Sequence, residues 1–302
     1  MIIVDVSGIA HWKFNQRPVE ERVPANMLDD LETWFDELAH AEDDPYLVAA
    51  FDGANNFRKL IDPQYKAHRP PTDPALSVQM REMKTIINAM GFACISVDGY
   101  EADDIAATLV KNHAFSQPIK LVSNDKDWSQ LLIDNVKLFS PRADAEGNRY
   151  YVDADGWTER FGVPPHRMQE FLGLAGDAGD GVSGVSGWGA GSAKKAIAQT
   201  NTFGDILRFA CMRQLQGITT ARQDYLVTNK AMSEYTAARK LTTLVYDVEF
   251  ADSELKNLKR EDVYDHESIA EAKARATERY NKEKERREPD TTDSGPIDPA
   301  TL

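Results

Sequence analysis

The chain begins MIIVDVSG, residues 1–8, a short apolar run cut off by an acid at Asp5. The same device returns three times. YLVAA, residues 46–50, runs on through Phe51 to Asp52, ACISV, residues 93–97, leads into DGYEADD, and IKLV, residues 119–122, leads into SNDKD with Asp125 and Asp127. Runs this short, bounded by turn-forming residues, read as buried strands. Between most of them lie segments with apolar residues at helical spacing, such as MLDDLETWFDELAHA, residues 27–41, and LSVQMREMKTIINAM, residues 76–90, which stops at Gly91. Strands alternating with helices predict an α/β fold with a mostly parallel central sheet and helices on both faces. In such a sheet ligands bind beyond the carboxyl ends of the strands, and that is where these acids fall.

The most crowded acids lie in GYEADDIAATL, residues 99–109, which sets Glu101, Asp103 and Asp104 close together. A helix N-terminus favours one or two carboxylates through its dipole, each by roughly 0.3–1 kcal/mol, but a third adds repulsion. The alternative is a bound cation. Asp5, Asp52, Glu101, Asp103, Asp104, Asp125 and Asp127 would share one sheet edge. Any one of them alone is well explained as a turn or cap residue. Together they would repel by something on the order of several kcal/mol without a counter-ion. Hard divalent cations suit oxygen ligands, and Mg²⁺ or Mn²⁺ fits best. A calcium loop is excluded, because DADGWTERF, residues 153–161, has glycine at its fourth position and lacks the closing glutamate. The histidines show no clustered ligand spacing.

Asp177 and Asp180 form a further pair in LAGDAGDGVSGVSGWGAGSAKKAI, residues 174–197. On a helical turn, a spacing of three points both the same way. The small residues that follow let backbone N–H groups approach phosphate oxygens without reading base sequence, or they form a plain flexible loop. The glycines fit neither a dinucleotide fingerprint nor a phosphate-binding loop, since no strand precedes GWGAGS and no Gly-Lys-Ser/Thr closes it. A basic segment, NNFRKLIDPQYKAHRPP, residues 55–71, follows Asp52 and carries Arg58, Lys59, Lys66, His68 and Arg69 with Phe57 and Tyr65 between them. Such cations can hold phosphates and such rings can stack on unpaired bases, although charged loops are usually no more than solvated surface.

The net charge of −14, taken alone, argues against a general nucleic-acid coat protein, which would carry a basic face. It does not exclude a nuclease, because bound metal offsets acids. Cys94 and Cys211 offer no zinc spacing and no disulfide framework, and the apolar start is interrupted by Asp5. A cytoplasmic location is expected, the host-cell cytoplasm if the protein is viral, with no signal peptide and no membrane partner.

FDGANNFRKLIDPQYKAHRPP, GYEADDIAATL, LVSNDKDWSQLL, FGVPPHRMQEFLGLAGDAGDGVSGVSGWG and ARKLTTLVYDVEF, in this order, resemble the flap-endonuclease superfamily of 5′-nucleases over roughly residues 1–250. The likeness is greatest to tailed-bacteriophage 5′-exonucleases and to the 5′-nuclease domain of bacterial DNA polymerase I. It implies a PIN-like nuclease core at 1–165 with a helical arch at 54–80, then a helix-hairpin-helix region at 166–250. Beyond the resemblance, the charge-rich composition from about residue 252 predicts a solvated charged helix within 251–288 and a disordered tail at 289–302. The resemblance also implies metal-dependent hydrolysis of DNA phosphodiesters, as a 5′–3′ exonuclease or 5′-flap endonuclease, in replication or recombination. The substrates would be duplexes with free 5′ ends, 5′ flaps or RNA–DNA hybrids, with replication proteins as possible partners.

By matching motif, Asp5, Asp52, Glu101, Asp103 and Asp125 would surround the first metal, with Asp104 nearby, and Asp127, Asp177 and Asp180 would hold the second. Lys66, with Arg69 and Arg58, would supply cations to the scissile phosphate. Lys59, Tyr65, Gly184, Gly187, Gly189, Lys194 and Lys195 would contact DNA, and carbonyls of Val182 and Val185 would hold a K⁺ ion. The sequence departs from the family at Ser183 and Ser186, where prolines are usual, and at Gly191, where a lysine is usual. The competing readings are an RNA-directed nuclease on a similar core and a metal-stabilised DNA-binding scaffold without catalysis.

Overall fold

The four apolar runs form four neighbouring strands in the computed structural model, which describes residues 1–287 apart from 24, 43, 140–150, 251–257, 260 and 262. They are β1 (Ile2–Asp5), β2 (Leu47–Ala50), β3 (Ala93–Ile95) and β4 (Ile119–Val122). β5 (Val136–Phe139) and β6 (Tyr151–Val152) extend the sheet beyond what the sequence suggested. The order is β3-β2-β1-β4-β5-β6, parallel throughout except for β6, which runs antiparallel to β5. β5 was missed because Val136 and Leu138 are buried on either side of an exposed Lys137, too short an alternation to stand out.

Successive residues of a strand point to opposite faces. Ile2 and Val4 accordingly join one core, under helices 6–16, 26–42, 74–80 and 83–89, while Met1 and Ile3 join the other, under helix 102–113. The chain moves outward from β1 through β2 to β3, then returns to place β4 on the other side of β1. That reversal opens a crevice beyond the carboxyl ends of β1 and β4, where Asp5 and Asp125 stand.

Helices 168–175, 190–198, 203–211, 220–226 and 229–242 gather around a separate core that includes Leu172, Val185, Trp188, Ile206 and Leu226. Between the first two, β7 (Gly176–Asp177) and β8 (Val182–Ser183) form a small antiparallel hairpin. Asp177 and Asp180 therefore lie on this hairpin and its turn, not on a helical turn, and the Asp180 N–H bonds the Asp177 carbonyl at 3.2 Å.

LTTLVYDVEF, residues 241–250, has a strand-like pattern but joins no sheet. Its first two residues end helix 229–242. Beyond them the Val245 and Val248 N–H groups bond Asp104 Oδ1 at 2.9 Å and Thr108 Oγ1 at 3.2 Å. Side chains of helix 102–113 supply what a neighbouring strand would have offered.

The C-terminal helix, His266–Arg287, is not the solvated helix its charge suggested. Ile269, Ala272 and Ala276 form a narrow buried stripe against the core, and burying the isoleucine alone contributes about 1.5–3 kcal/mol. Lys273 pairs with Asp29 at 2.6 Å, and Arg275 with Glu82 at 3.0 Å. Helix 74–80 is likewise packed into the core through Ala75, Leu76 and Val78, so of the expected arch Lys66, Arg69, Thr72 and, from this helix, Met80 stand at the crevice. The expected tail, 289–302, lies outside the described residues. Among the described residues no helix is long and apolar enough to cross a membrane.

Candidate active site

Asp5 is the last residue of β1 and caps the helix that follows. Its two oxygens accept from the Gly8 N–H and the Ser123 hydroxyl, both at 2.8 Å. Burial nevertheless pushes its carboxyl up to about 6, with the charges of Asp52 and Asp125 adding to the effect. Asp125 caps the 3₁₀ turn after β4, and Ser123 also accepts its N–H at 2.9 Å. Asp52 lies exposed after β2 and accepts from the Ala102 N–H at 3.0 Å. Asp103 takes a hydrogen bond from the Trp128 indole at 2.7 Å. Its carboxyl is pushed well above the ordinary range, first by enclosure, then by Asp125, Asp5 and Glu101, against the pull of Lys66. Asp5, Asp52, Glu101, Asp103 and Asp125 line one cavity of about 550 Å³, with Lys66 and Arg69 in its wall.

A second group meets beside it. Asp127, Asp177 and Asp180 bring one carboxylate oxygen each within 4.8 Å of the others. Asp127 is raised to about 7, by burial first and then by Asp125, with Lys126 pulling the other way. Asp127 Oδ1 is buried without a hydrogen bond and has only the Lys126 ammonium, at 3.4 Å. The same ammonium bonds Asp177 at 2.6 Å. Lys66 plays the matching part on the other side, bonded to Glu101 and 3.6 Å from Asp180. Burial alone would lower its pKa, but Glu101 and Asp180 outweigh that and raise it. Arg69 bonds Asp180 at 2.5 Å and is 49% exposed. Crowded acids, an unsatisfied oxygen and ammonium groups lodged among them fit a site for divalent cations, with oxygen-only donors of the hard kind.

Three expected members stand elsewhere. Arg58 is buried, with both terminal nitrogens on Asp104 at 2.7 and 2.8 Å and further bonds to the Leu241 and Thr243 carbonyls. It therefore cannot reach a phosphate in the cavity, and Asp104, 0% exposed, is its counter-ion and not a cavity acid. Tyr65 is also buried, among Val182, Ala238 and Leu241. Its hydroxyl lies 2.9 Å from both Glu101 and Asp180, so it positions acids and does not stack on bases.

The hairpin region is similarly divided. A side chain at Gly184 would meet Gly176 N at 2.3 Å and Leu174 O at 2.4 Å, so this glycine serves hairpin packing and not phosphate approach. Gly187, at φ +77°, and Gly189 face open space at the exposed turn before helix 190–198. Lys194 donates to the Phe161 carbonyl with its ammonium 4.0 Å from that ring, which removes it from solvent-side duty. Lys195 is exposed and makes a long 3.4 Å bond to Gly217 O, and Lys59 is exposed on helix 58–61. Val182 and Val185 are buried, and the Val185 carbonyl accepts from Trp188 N–H at 2.8 Å. Sequence reasoning missed Ser123, Lys126 and Trp128, although all three lie within VSNDKDW beside the acids they orient.

The sheet, its acid-lined crevice and the hairpin beside it define an α/β nuclease of the acid-cleft class. The chain belongs to the family described as 5′-3′ exonuclease, N-terminal resolvase-like domain, whose model matches residues 1–162. It is 29% identical over 270 residues to a 5′-3′ exonuclease of Aquifex aeolicus, covering 87% of this chain and 88% of that protein. It is 34% identical over 136 residues to DNA polymerase I of Pseudomonas aeruginosa, covering 45% of this chain but only 14% of the polymerase. Its fold resembles T5 5′-exonuclease, solved with zinc bound, at a TM-score of 0.61 and 22% identity, over 93% of this chain and 99% of that one. The chain is a 5′-nuclease.

Proposed function

We propose that the chain hydrolyses phosphodiesters of DNA from free 5′ ends or at the base of 5′ flaps, with two divalent cations, Mg²⁺ or Mn²⁺. The observation that carries this reading is a cavity lined by acids that follow the strands, with the hairpin acids grouped beside it and Lys66 and Arg69 reaching from the cavity wall to Asp180. Asp5, Asp52, Glu101, Asp103 and Asp125 would hold one ion, and Asp127, Asp177 and Asp180 the other. When bound, such ions lower the pKa of an attacking water and offset charge on the attacking and leaving oxygens.

The rest of the work falls to the chain itself. Ser123 and Trp128 fix the orientation of Asp5 and Asp103. Lys66 and Arg69, now paired with Glu101 and Asp180, are free to turn to a phosphate once those acids have another cation. Their charge then favours the more negative transition state. The exposed turn at Gly187 and Gly189, with Lys195, offers a sequence-blind surface for duplex phosphates, and hairpin carbonyls such as Val182 and Val185 would take K⁺. T5 flap endonuclease, similar in fold, has been solved in a pseudo-enzyme–product complex with DNA and metal ions, which supports DNA and divalent metal as the ligands here.

The decisive experiment incubates closed, nicked and linear forms of one plasmid with Mg²⁺. Linear and nicked forms should be degraded from their 5′ ends while the closed circle survives. Equal degradation of the closed circle overturns the 5′ reading.

A further inference from the structure

The acid cavity has a neighbour. Thr72 lines it, and Thr72 also lines a second, polar hollow of about 410 Å³ formed with Pro74, Ser77, Arg81, Glu283 and Arg286. One wall comes from the segment leading into helix 74–80, the other from the end of the docked C-terminal helix. Other arginines of that helix are committed to the fold: Arg275 and Arg279 both pair with Glu82. Among the described residues, Arg81 and Arg286 make no ion pair, and both are exposed. Glu283 stands with them, which leaves the hollow with one net positive charge. Two guanidinium groups with no ion pair among the described residues thus stand beside the acid cavity.

We propose that Arg81 and Arg286 bind phosphates of the unpaired 5′ strand after it has passed the acid cavity. The proposal rests on the 5′-nuclease reading. If duplex lies on the hairpin side, marked by Asp177 and Asp180, a strand crossing the acids leaves along Thr72, and the next surface it meets is this hollow. Guanidinium groups suit phosphate oxygens, and nothing in the hollow selects among bases. The C-terminal helix thereby acquires a role beyond closing the core, as one bank of the exit path.

The test uses the full chain and an Arg81→Ala, Arg286→Ala double variant, with a minimal 5′ flap and a long 5′ flap on the same duplex. Binding is read in EDTA, where no turnover occurs, so this arm reports on the proposal independently of catalysis. The double variant should bind the long flap several-fold more weakly and the minimal flap normally. Its log K against log salt on the long flap should be shallower by about 1.4, two single-strand phosphates at about 0.7 each. In Mg²⁺ its KM for the long flap should rise while kcat holds, and Arg→Lys replacements should restore much of the affinity. Unchanged long-flap affinity and salt slope, or equal weakening on both flaps, overturns the proposal. Failure of the unaltered chain to cut either flap in Mg²⁺ is instead a failure of the 5′-nuclease reading, and the binding arm still decides this one.

Discussion

Asp103 and Asp104 are consecutive on helix 102–113, yet they belong to regions with opposite electrostatic character. Asp104 sits in a buried latch where each oxygen is already served: Oδ1 by Arg58 at 2.8 Å and Val245 N–H at 2.9 Å, Oδ2 by Arg58 at 2.7 Å and Glu101 N–H at 3.2 Å. Asp103 has the Trp128 indole on one oxygen and a crowd of other acids around it. The lesson is that proximity to an acid cluster does not define a ligand. An oxygen with its lone pairs taken has nothing left for a cation, and an acid that keeps them while being repelled is held ready for one.

The largest effect should come from the cavity side. Asp125→Asn is expected to lower single-turnover cleavage by about 10³-fold or more, since several kcal/mol of transition-state stabilisation depend on the site's charge. DNA binding and the melting temperature should hold, because a repelling charge has been removed. Near-normal turnover in Mg²⁺ would place the chemistry elsewhere.

The latch should fail in the opposite manner. Arg58→Met leaves Asp104 buried and unpaired, and the expected loss is about 3–5 kcal/mol of folding stability. Urea unfolding measures it, and intact stability with lost activity would return Arg58 to the cavity. Lys66→Ala should then slow the chemical step by about 10²-fold with little change in affinity, as loss of a transition-state charge contact does. Equal loss of both would make it an ordinary binding residue.

Divalent metal should raise the melting temperature, each occupied site adding about 2.7 kcal/mol of stability at a hundredfold excess over its Kd. Asp127→Asn should shrink this shift, and a calorimetric titration that finds it undiminished would break the assignment of the second group. The smallest effect separates two lysines. Lys195→Ala should make the salt dependence of duplex binding shallower by about 0.9, whereas Lys194→Ala, tied to Phe161, should leave it unchanged. Equal slopes would erase that distinction.

The strand ends were legible because short apolar runs lead into acids, and this placed Asp5, Asp52, Glu101, Asp103 and Asp125 at one crevice, but it also placed there Asp104, which is paired with Arg58, and Asp127, which groups with the hairpin acids. Asp177 and Asp180 were legible as a pair but not as a hairpin, since a spacing of three suits either a helical turn or a β-turn. Arg58 was misread because sequence shows charge and not partner: its acid lies 46 positions away and its carbonyl acceptors beyond 180. Residues 266–287 hid three small apolar contacts among many charges, and Tyr65 looked like a stacking ring because nothing local shows that Val182 and Leu241 cover it.

Lys126 bridges Asp127, in the 3₁₀ turn that follows β4, to Asp177 on the hairpin, so the second acid group exists only along the seam between the two parts of the molecule. Neither part contains it alone. On the proposed reading, chemistry and duplex grip are thus not separable modules that selection can tune one at a time: a substitution that shifts the hairpin must also redraw the geometry of the acids. Such a constraint favours change at the outer turn around Gly187 and at the exit hollow, while the ground between Asp127 and Asp180 is held still from both sides.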